Sequence, residues 1–358
     1  MTAQQPISPA SPTVAVVGAY GHTGRFVVAE LLRRGARVLA IGRDAGRLAQ
    51  AHQHPCVELR PASLTDSAAL DAALSGAAAV IHCAGPFLDS AEPVVQAALR
   101  ARIHYLDVTA EQASAKALFE AHGPAAHGAG VVILPAMGFY GGLADLLATA
   151  ALDDWTGADE VEIGIALDHW WPTKGTRVTG QRNTVPRLIL QDGQLVPLAP
   201  STPVHWRFPE PFGEQEMAQV PFSEIVLLSR HLAVRAARTF LATRPLQELR
   251  NPDTPPPTAA DATGRSPQRF LVEVRARRGD RERRVAAAGH DIYAFSAPLI
   301  VEAALRLLAG AHTGPGVKAP GELFDAWDFL RSLRGDLDLQ LHRETVVAAR
   351  EAAEAPAA

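Results

Sequence analysis

The chain has 358 residues, 47% of them hydrophobic, which is enough to bury a sizeable core at a length that favours two domains over one. Lys and Arg number 34 against 38 Asp and Glu, a net charge of -4, and this excludes the global basic field that draws a protein to nucleic acid. The two cysteines, Cys56 and Cys83, exclude a disulfide framework and fit a reducing cytosol, and no apolar run reaches the roughly 20 residues of a membrane span.

The opening MTAQQPISPASPT has neither a basic start nor an apolar core, so 1–13 is expected to be a disordered tail and not a signal peptide. From Val14 onward strand-like and helical runs alternate. VAVV, a helical stretch from Phe26 to Leu32, and VLAI read as strand, helix, strand. RLAQAHQ, VELRPAS, DSAALDAALSG and AAAVIHCAG continue in the same order. AEPVVQAALRAR and HYLDVTA follow as helix and strand, and ASAKALFEAHGPAAHGAG and VVILPAMGF as the last such pair. This rhythm predicts a parallel sheet with crossover helices over 14–140.

Beyond Gly142 the rhythm changes. ADLLATAAL reads as a helix, ADEVEIGIALD alternates as a half-buried strand, and Trp170 to Phe222 is rich in Pro, Gly and Trp with strand-like pieces. EIVLLSRHLAVRAARTFLATRPLQEL (224–249) reads as one long helix, and NPDTPPPTAADATGRSPQ (251–268) as a mobile Pro-rich loop. RFLVEVRARRGDRERRVAAAGHD predicts a hairpin turning near Gly279 and Asp280, and APLIVEAALRLLAG a helix. The expected second unit, 141–330, is an α+β domain with a mixed or antiparallel sheet for substrate binding and dimerisation, followed by a C-terminal helical tail, 331–358.

Gly18, Gly21 and Gly24 stand between the first strand and the first helix, spaced G-x-x-G-x-x-G. Within a complete βαβ unit, one glycine makes the turn, another admits a pyrophosphate to the backbone, and the third packs helix on strand. The amides and dipole at the helix start then hold the phosphate charge. Arg25 follows Gly24, so a G-K-[ST] nucleotidase loop is excluded. This predicts a Rossmann-type doubly wound sheet binding a dinucleotide. The second strand ends Ile41-Gly42-Arg43-Asp44: Arg43, with Arg47 a turn later, favours NADP over NAD, against the alternative of a solvated Arg43 and a helix-capping Asp44. Ser63 and Leu64 flank adenine, or Ser63 caps the next helix; Cys83, Ala84, Gly85 and Pro86 pass beside the cofactor, with Cys83 otherwise a buried filler.

VVGAYGHTGRFV, VIHCAGPFLDSAEPVVQAALRARIHYLDVTAE, GVVILPAMGFYGGLADLLA and GHDIYAFSAPLIVEAALRLLAG resemble the saccharopine dehydrogenase-like oxidoreductases, a group that includes trans-acting enoyl reductases. The resemblance implies an NADP-binding domain and a second α+β domain that covers the nicotinamide and often makes a homodimer. It places Gly18, Tyr20, Gly21, His22, Thr23, Gly24 and Arg25 in the phosphate loop, Arg43 at the 2'-phosphate and Cys83 to Pro86 in the strand-four loop. Tyr20 and His22 depart from the G-A-T-G-F-T-G of the enoyl reductase branch, and Gln181 to Pro221 has no counterpart.

For chemistry, none of Tyr20, Tyr105, Tyr140 and Tyr293 has a lysine four positions on, which excludes the Tyr-x-x-x-Lys pair of short-chain dehydrogenases. Asp107, with Thr109 and Glu111, follows a strand where the cleft should lie, either as a catalytic group or in a turn; Tyr140 follows the next strand, either as proton donor or packed in place. DHWWPTKGTR offers His169, Lys174 and Arg177, the last two as partners for a substrate carboxylate or phosphate, or as solvated cations. His52, His54 and Cys56 lack a fourth ligand, so no metal is expected, and the basic RARRGDRERR has no interleaved aromatics for stacking nucleic-acid bases. The reading is a cytoplasmic NADP-dependent oxidoreductase reducing a C=C, C=N or C=O of a small-molecule or carrier-bound substrate. A non-catalytic NADP(H) sensor and a redox-neutral use of the cofactor are its alternatives.

Overall fold

The computed structural model describes residues 11–346, so 1–10 of the expected tail and 347–358 of the expected C-terminal helix lie outside the described residues. The first unit runs β1 (Thr13–Val17), α1 (His22–Arg33), β2 (Arg37–Gly42), α2 (Ala45–Ala51), β3 (Val57–Pro61), α3 (Ser67–Leu74), β4 (Ala79–His82), α4 (Phe87–Ala101), β5 (His104–Asp107), α5 (Gln112–Ala121), α6 (Gly123–Ala129) and β6 (Val132–Leu134). The second holds α7 (Ala144–Leu152), β7 (Ala158–Leu167), α8 (Lys174–Arg182), β8 (Leu188–Gln191), β9 (Gln194–Pro197), β10 (Val204–Arg207), β11 (Glu214–Gln219), α9 (Ser223–His231), β12 (Val234–Ala242), α10 (Thr243–Arg250), β13 (Arg269–Arg278) and β14 (Arg281–His290). The chain ends α11 (Ile292–Leu308), β15 (Gly316–Val317), α12 (Pro320–Leu323), α13 (Ala326–Ser332) and β16 (Asp338–Val346).

The first sheet is parallel, in the order β15-β6-β5-β4-β1-β2-β3. Its central strands read as unbroken apolar runs because helices cover both faces: Val14 to Val17 and Ala79 to His82 are all buried. The direction of winding reverses between β1 and β4, so the loops leaving these two strands border the crevice where such sheets bind ligands. The second sheet has nine strands, β10-β11-β12-β7-β13-β14-β16 with β8 and β9 off this path; β12 and β7 are parallel and the remaining pairs antiparallel. This is the Rossmann-type sheet with a second, mixed-sheet α+β unit that the sequence predicted.

Three expectations need correction. The long helix over 224–249 is α9, the strand β12 and α10: VRAARTFLA has good helix formers, but it lies between β11 and β7 and its pairing outweighs local propensity. The tail from 331 is not helical throughout, because Asp338–Val346 pairs antiparallel with β14. The division at residue 140 is not contiguous, because β15 returns to pair with β6 in the first sheet and Arg34, which follows α1, pairs with Glu302 of α11. The Pro-rich 251–268 has no helix or strand, yet it is pinned: Arg177 Nη2 donates to the Thr254 carbonyl (2.8 Å), and the Ser266 amide donates to Asp291 Oδ2 (2.7 Å).

Candidate active site

The glycine turn is built by contact. Gly18 has φ +81°, and a Cβ there would sit 2.9 Å from the Ala84 Cβ and 3.0 Å from its amide nitrogen, so the loops after β1 and β4 touch at this point. The Gly21 amide donates to the Gly18 carbonyl (2.8 Å), and Gly24 packs so tightly on that carbonyl that no side chain fits. Gly21 precedes α1 without any side-chain cap, whereas α2, α3, α8, α11 and α13 are capped by Asp44, Asp66, Thr173, Asp291 and Asp325. The first-turn amides of α1, those of His22, Thr23 and Gly24, are thus left for an anion. His52, which with His54 and Cys56 hinted at a metal, instead donates from Nε2 to the Ala19 carbonyl (3.0 Å) and braces this turn.

At the end of β2, Asp44 accepts from the Arg47 amide (2.9 Å) and caps α2, so its carboxylate is engaged as a cap. Arg43 is exposed and has no hydrogen bond or ion pair among the described residues. Arg47 stacks over the Tyr20 ring, 4.3 Å from guanidinium carbon to centroid, and Gly42 is small because Tyr20 lies on it: a Cβ would fall 2.5 Å from Tyr20 Cε1. After β3, Ser63 pairs with Thr65 (2.9 Å) while Asp66 caps α3, so the capping alternative for Ser63 fails; Leu64 packs on the core. Burial drives the Cys83 thiol far above its usual range, which makes it a filler and not a nucleophile.

Asp107 is fully buried and satisfied. Oδ1 accepts from the Thr109 amide (2.9 Å) and the Ala136 amide (2.8 Å), and Oδ2 from the Tyr105 hydroxyl (2.9 Å). Burial raises its pKa to about 6 against these three bonds. The expectation that Asp107 acts on substrate is therefore corrected: its lone pairs hold the loops after β5 and β6. The Thr109 hydroxyl in turn accepts from the Glu111 amide (3.0 Å), and Glu111 caps α4 by accepting from Phe87 (2.7 Å) and Leu88 (3.1 Å). Ala136 has φ +59°, unusual for a residue with a Cβ, and its carbonyl accepts from Gly138 and Gly142 (2.8 Å each). That turn carries Tyr140.

Around Tyr140 lies an aromatic chamber. Its ring stacks on Trp170 (5.3 Å) and meets Phe222 (4.3 Å) and Phe139 (4.8 Å). The Trp170 indole donates to the Tyr293 hydroxyl (3.1 Å), and the Tyr293 ring meets His22 edge-on (5.4 Å), which joins the chamber to the glycine turn. The Tyr140 hydroxyl, His22 Nε2 and Glu224 Oε2 are buried without a partner. Burial, then Tyr293 and Glu224, push the Tyr140 phenol well above its usual pKa, so it stays protonated; burial lowers that of His22 and keeps the imidazole neutral. Trp170, Phe222, Glu224 and Tyr293 had no local signal, because the fold gathers them from three separate segments.

The α8 cations do not act as expected. Arg177 donates to the carbonyls of Leu249, Asn251 and Thr254 and secures the Pro-rich segment, so it is not free for substrate. Lys174 is exposed at the first position of α8. His169 bonds Glu248 (3.0 Å). The helix itself lies over the strand-four loop: Thr179 Oγ1 is 3.1 Å from where a Gly85 Cβ would be, and Arg182 pairs with Asp89 (2.8 Å). Among the described residues no three His, Cys, Asp or Glu side chains group as metal ligands, and no helix is long and apolar enough to cross a membrane.

Residues 14–132 match the family model of the saccharopine dehydrogenase NADP binding domain. No curated protein matches the sequence. Apo histidine-tagged saccharopine dehydrogenase (L-Glu forming) from Saccharomyces cerevisiae is 13% identical with a TM-score of 0.64, covering 94% of this chain and 100% of its own. Amine dehydrogenase from Mycobacterium smegmatis is 9% identical with a TM-score of 0.46 over 89% of this chain and 97% of its own. Triphenylmethane reductase from Citrobacter sp. is 25% identical with a TM-score of 0.25 over 28% of this chain and 37% of its own. The yeast enzyme shares the overall fold, and residues 14–132 belong to the saccharopine dehydrogenase-like NADP-binding domain family. NADP(H) is the cofactor of that domain, and the uncapped α1, the open Gly18–Gly24 turn and the unpaired Arg43 fit it.

Proposed function

We propose that the chain is an NADP-dependent oxidoreductase that transfers hydride to a C=C, C=N or C=O bond of a small or carrier-linked substrate. The observation that carries this reading is one continuous wall, from the glycine turn through His22, Tyr293 and Trp170 to the unpartnered Tyr140 hydroxyl. Bound NADPH supplies the hydride. Gly18, Gly21, Thr23 and Gly24 would hold the diphosphate, Arg43 with Arg47 the 2'-phosphate, and Tyr20, Ser63 and Leu64 the adenosine side. Ala84, Gly85 and Pro86 would border the nicotinamide half.

Tyr140 is the proton donor in this proposal. As hydride reaches the substrate carbon, the partner atom gains charge, which a protonated phenol can meet by donating its hydrogen. The raised pKa favours that role over a base. Trp170 and Phe222 exclude water beside it. Asp107 acts at one remove, through the Ala136 turn. The three large apolar side chains exposed among the described residues, Leu88, Val178 and Val185, lie at the start of α4, on α8 and just beyond it, which supports a substrate whose apolar part extends outside the cleft. The same reading makes the protein a cytoplasmic homodimer, testable by light scattering.

The test is NADPH binding followed by oxidation at the nicotinamide band with enals, imines and ketones. Consumption with one class identifies the bond reduced. Binding without consumption of any class would replace this reading with that of a sensor.

A further inference from the structure

The loop that leaves β4 is held from beneath. Ser90, buried in the first turn of α4, turns its hydroxyl to the carbonyls of Ala84 (2.6 Å) and Pro86 (2.8 Å). His82, the last residue of β4 and fully buried, approaches the same oxygen through Nε2 (3.0 Å). A hydroxyl has one hydrogen and a carbonyl can only accept, so Ser90 donates to the carbonyls and accepts from His82. The imidazole is therefore protonated on Nε2, and its Nδ1 is buried with no partner. Burial pulls the His82 pKa down to about 3, in keeping with a single proton on the ring. Phe87 meets that ring edge-on (5.1 Å) and fixes its plane.

A helical serine commonly bonds the carbonyl four positions back, so the Pro86 contact alone says nothing beyond the helix. The Ala84 contact is different. Ala84 lies before α4, and no helical pattern brings its carbonyl to Ser90. Burying an imidazole and a hydroxyl where aliphatic side chains would pack costs desolvation. What the pair achieves is the direction of one carbonyl.

In a trans peptide, a carbonyl and the N–H of the next residue point opposite ways. With the Ala84 carbonyl drawn toward α4, the Gly85 N–H is turned away from that helix, and Gly85 is exposed. Its neighbours are already placed. Cys83 donates to the Val17 carbonyl (2.8 Å), Phe87 and Leu88 donate to Glu111 (2.7 and 3.1 Å), and the Ala84 nitrogen abuts Gly18. The Gly85 amide has no acceptor among the described residues. Its loop touches the glycine turn and borders the crevice between β1 and β4.

We propose that Ser90, oriented by His82, is a positioning residue that aims the Gly85 N–H at an acceptor on the nicotinamide half of bound NADP(H). This rests on the reading that sets Ala84, Gly85 and Pro86 beside that half of the cofactor. Arg43, at the 2'-phosphate, follows β2 on the far side of β1, so Ser90 has no part in holding the adenosine end.

The test compares NADPH with 2',5'-ADP, which has the adenine and the 2'-phosphate but no nicotinamide, by calorimetry on the full chain. The parent should bind NADPH about fivefold or more tighter than 2',5'-ADP. In Ser90→Ala, NADPH should weaken by about fivefold or more while 2',5'-ADP stays within about twofold. Ser90→Cys, close in shape but a weaker donor, should fall between parent and alanine for NADPH, and it decides if Ser90→Ala does not fold. Binding of neither compound by the parent overturns the placement of the cofactor and the proposal with it. Where the parent binds both, an NADPH affinity no better than that of 2',5'-ADP, or equal losses for the two in the variants, overturns the proposal alone. So does a lowered Tm with the ratio of the two affinities unaltered, which is the mark of a serine that only stabilises the fold.

Discussion

Substituting Asp107 by Asn and by Ala separates a group that holds loops from one that reacts. Alanine removes three accepted hydrogen bonds and strands the buried donors of Tyr105, Thr109 and Ala136. At 1–3 kcal/mol for each of the three stranded donors, the cost is about 3–9 kcal/mol. Asparagine keeps Oδ1 for both amides and turns an NH2 toward the Tyr105 hydroxyl, which can reverse its role and accept, so the loss there is about 1 kcal/mol or less. It also removes an ionisation. The Asp107 pKa rises on folding from 3.8 to about 6 because the carboxylate is buried, a change worth roughly 3 kcal/mol. With the folded value raised, this contribution to stability is full below pH 3.8 and is lost as pH rises through about 6. Denaturant unfolding of both proteins from pH 4 to 8 should therefore show the parent losing up to about 3 kcal/mol relative to Asp107→Asn. Glu111, whose pKa burial also raises, is common to both and drops out of the difference. Turnover in Asp107→Asn should stay within about fivefold of the parent, since about 1 kcal/mol corresponds to a factor of roughly five. A well-folded Asp107→Asn with turnover reduced a thousandfold would refute the positioning role and return Asp107 to the chemistry.

Tyr140→Phe should lower kcat by about 10²-fold or more with NADPH affinity unchanged, measured by steady-state kinetics and fluorescence titration; undiminished turnover removes Tyr140 as donor. Arg43→Ala should weaken NADPH by about 1–3 kcal/mol and NADH hardly at all, because an exposed guanidinium meets only the 2'-phosphate. Equal losses for both cofactors would retire that assignment. Gly18→Ala forces a left-handed φ at roughly 1–2 kcal/mol and drives a methyl into Ala84. NADPH affinity should fall by tenfold or more while far-UV circular dichroism is retained, and intact affinity would show that this close approach does not matter.

What was legible in the sequence was local. The βαβ unit from Thr13 to Gly42 announces itself through three glycines whose spacing answers a single contact, Gly18 with Ala84 and Gly24 with Gly18. The hairpin of β13 and β14 follows from alternation broken at Gly279 and Asp280. Misreadings came where long-range pairing outweighs local preference. Ala236, Ala237 and Arg238 suit a helix, yet β7 captures them as a strand. The chamber was half legible: Tyr140 was found beside its strand, but Trp170, Phe222, Glu224 and Tyr293 meet only after the chain has crossed both sheets. The charge of Lys174 and Arg177 does not distinguish a ligand anchor from the strap Arg177 provides to Asn251 and Thr254.

Because β15 extends the parallel sheet beyond β6, and α11 backs α1 through the Arg34–Glu302 pair, the cofactor domain is stitched closed by residues that come nearly two hundred positions after its last consecutive strand. A fragment ending near residue 140 would carry a bare edge at β6 and an uncovered helix flank at α1. Excising that domain for a biosensor or a fusion therefore requires a circular permutation, or a splice that brings the stretch from Ile292 to Val317 along.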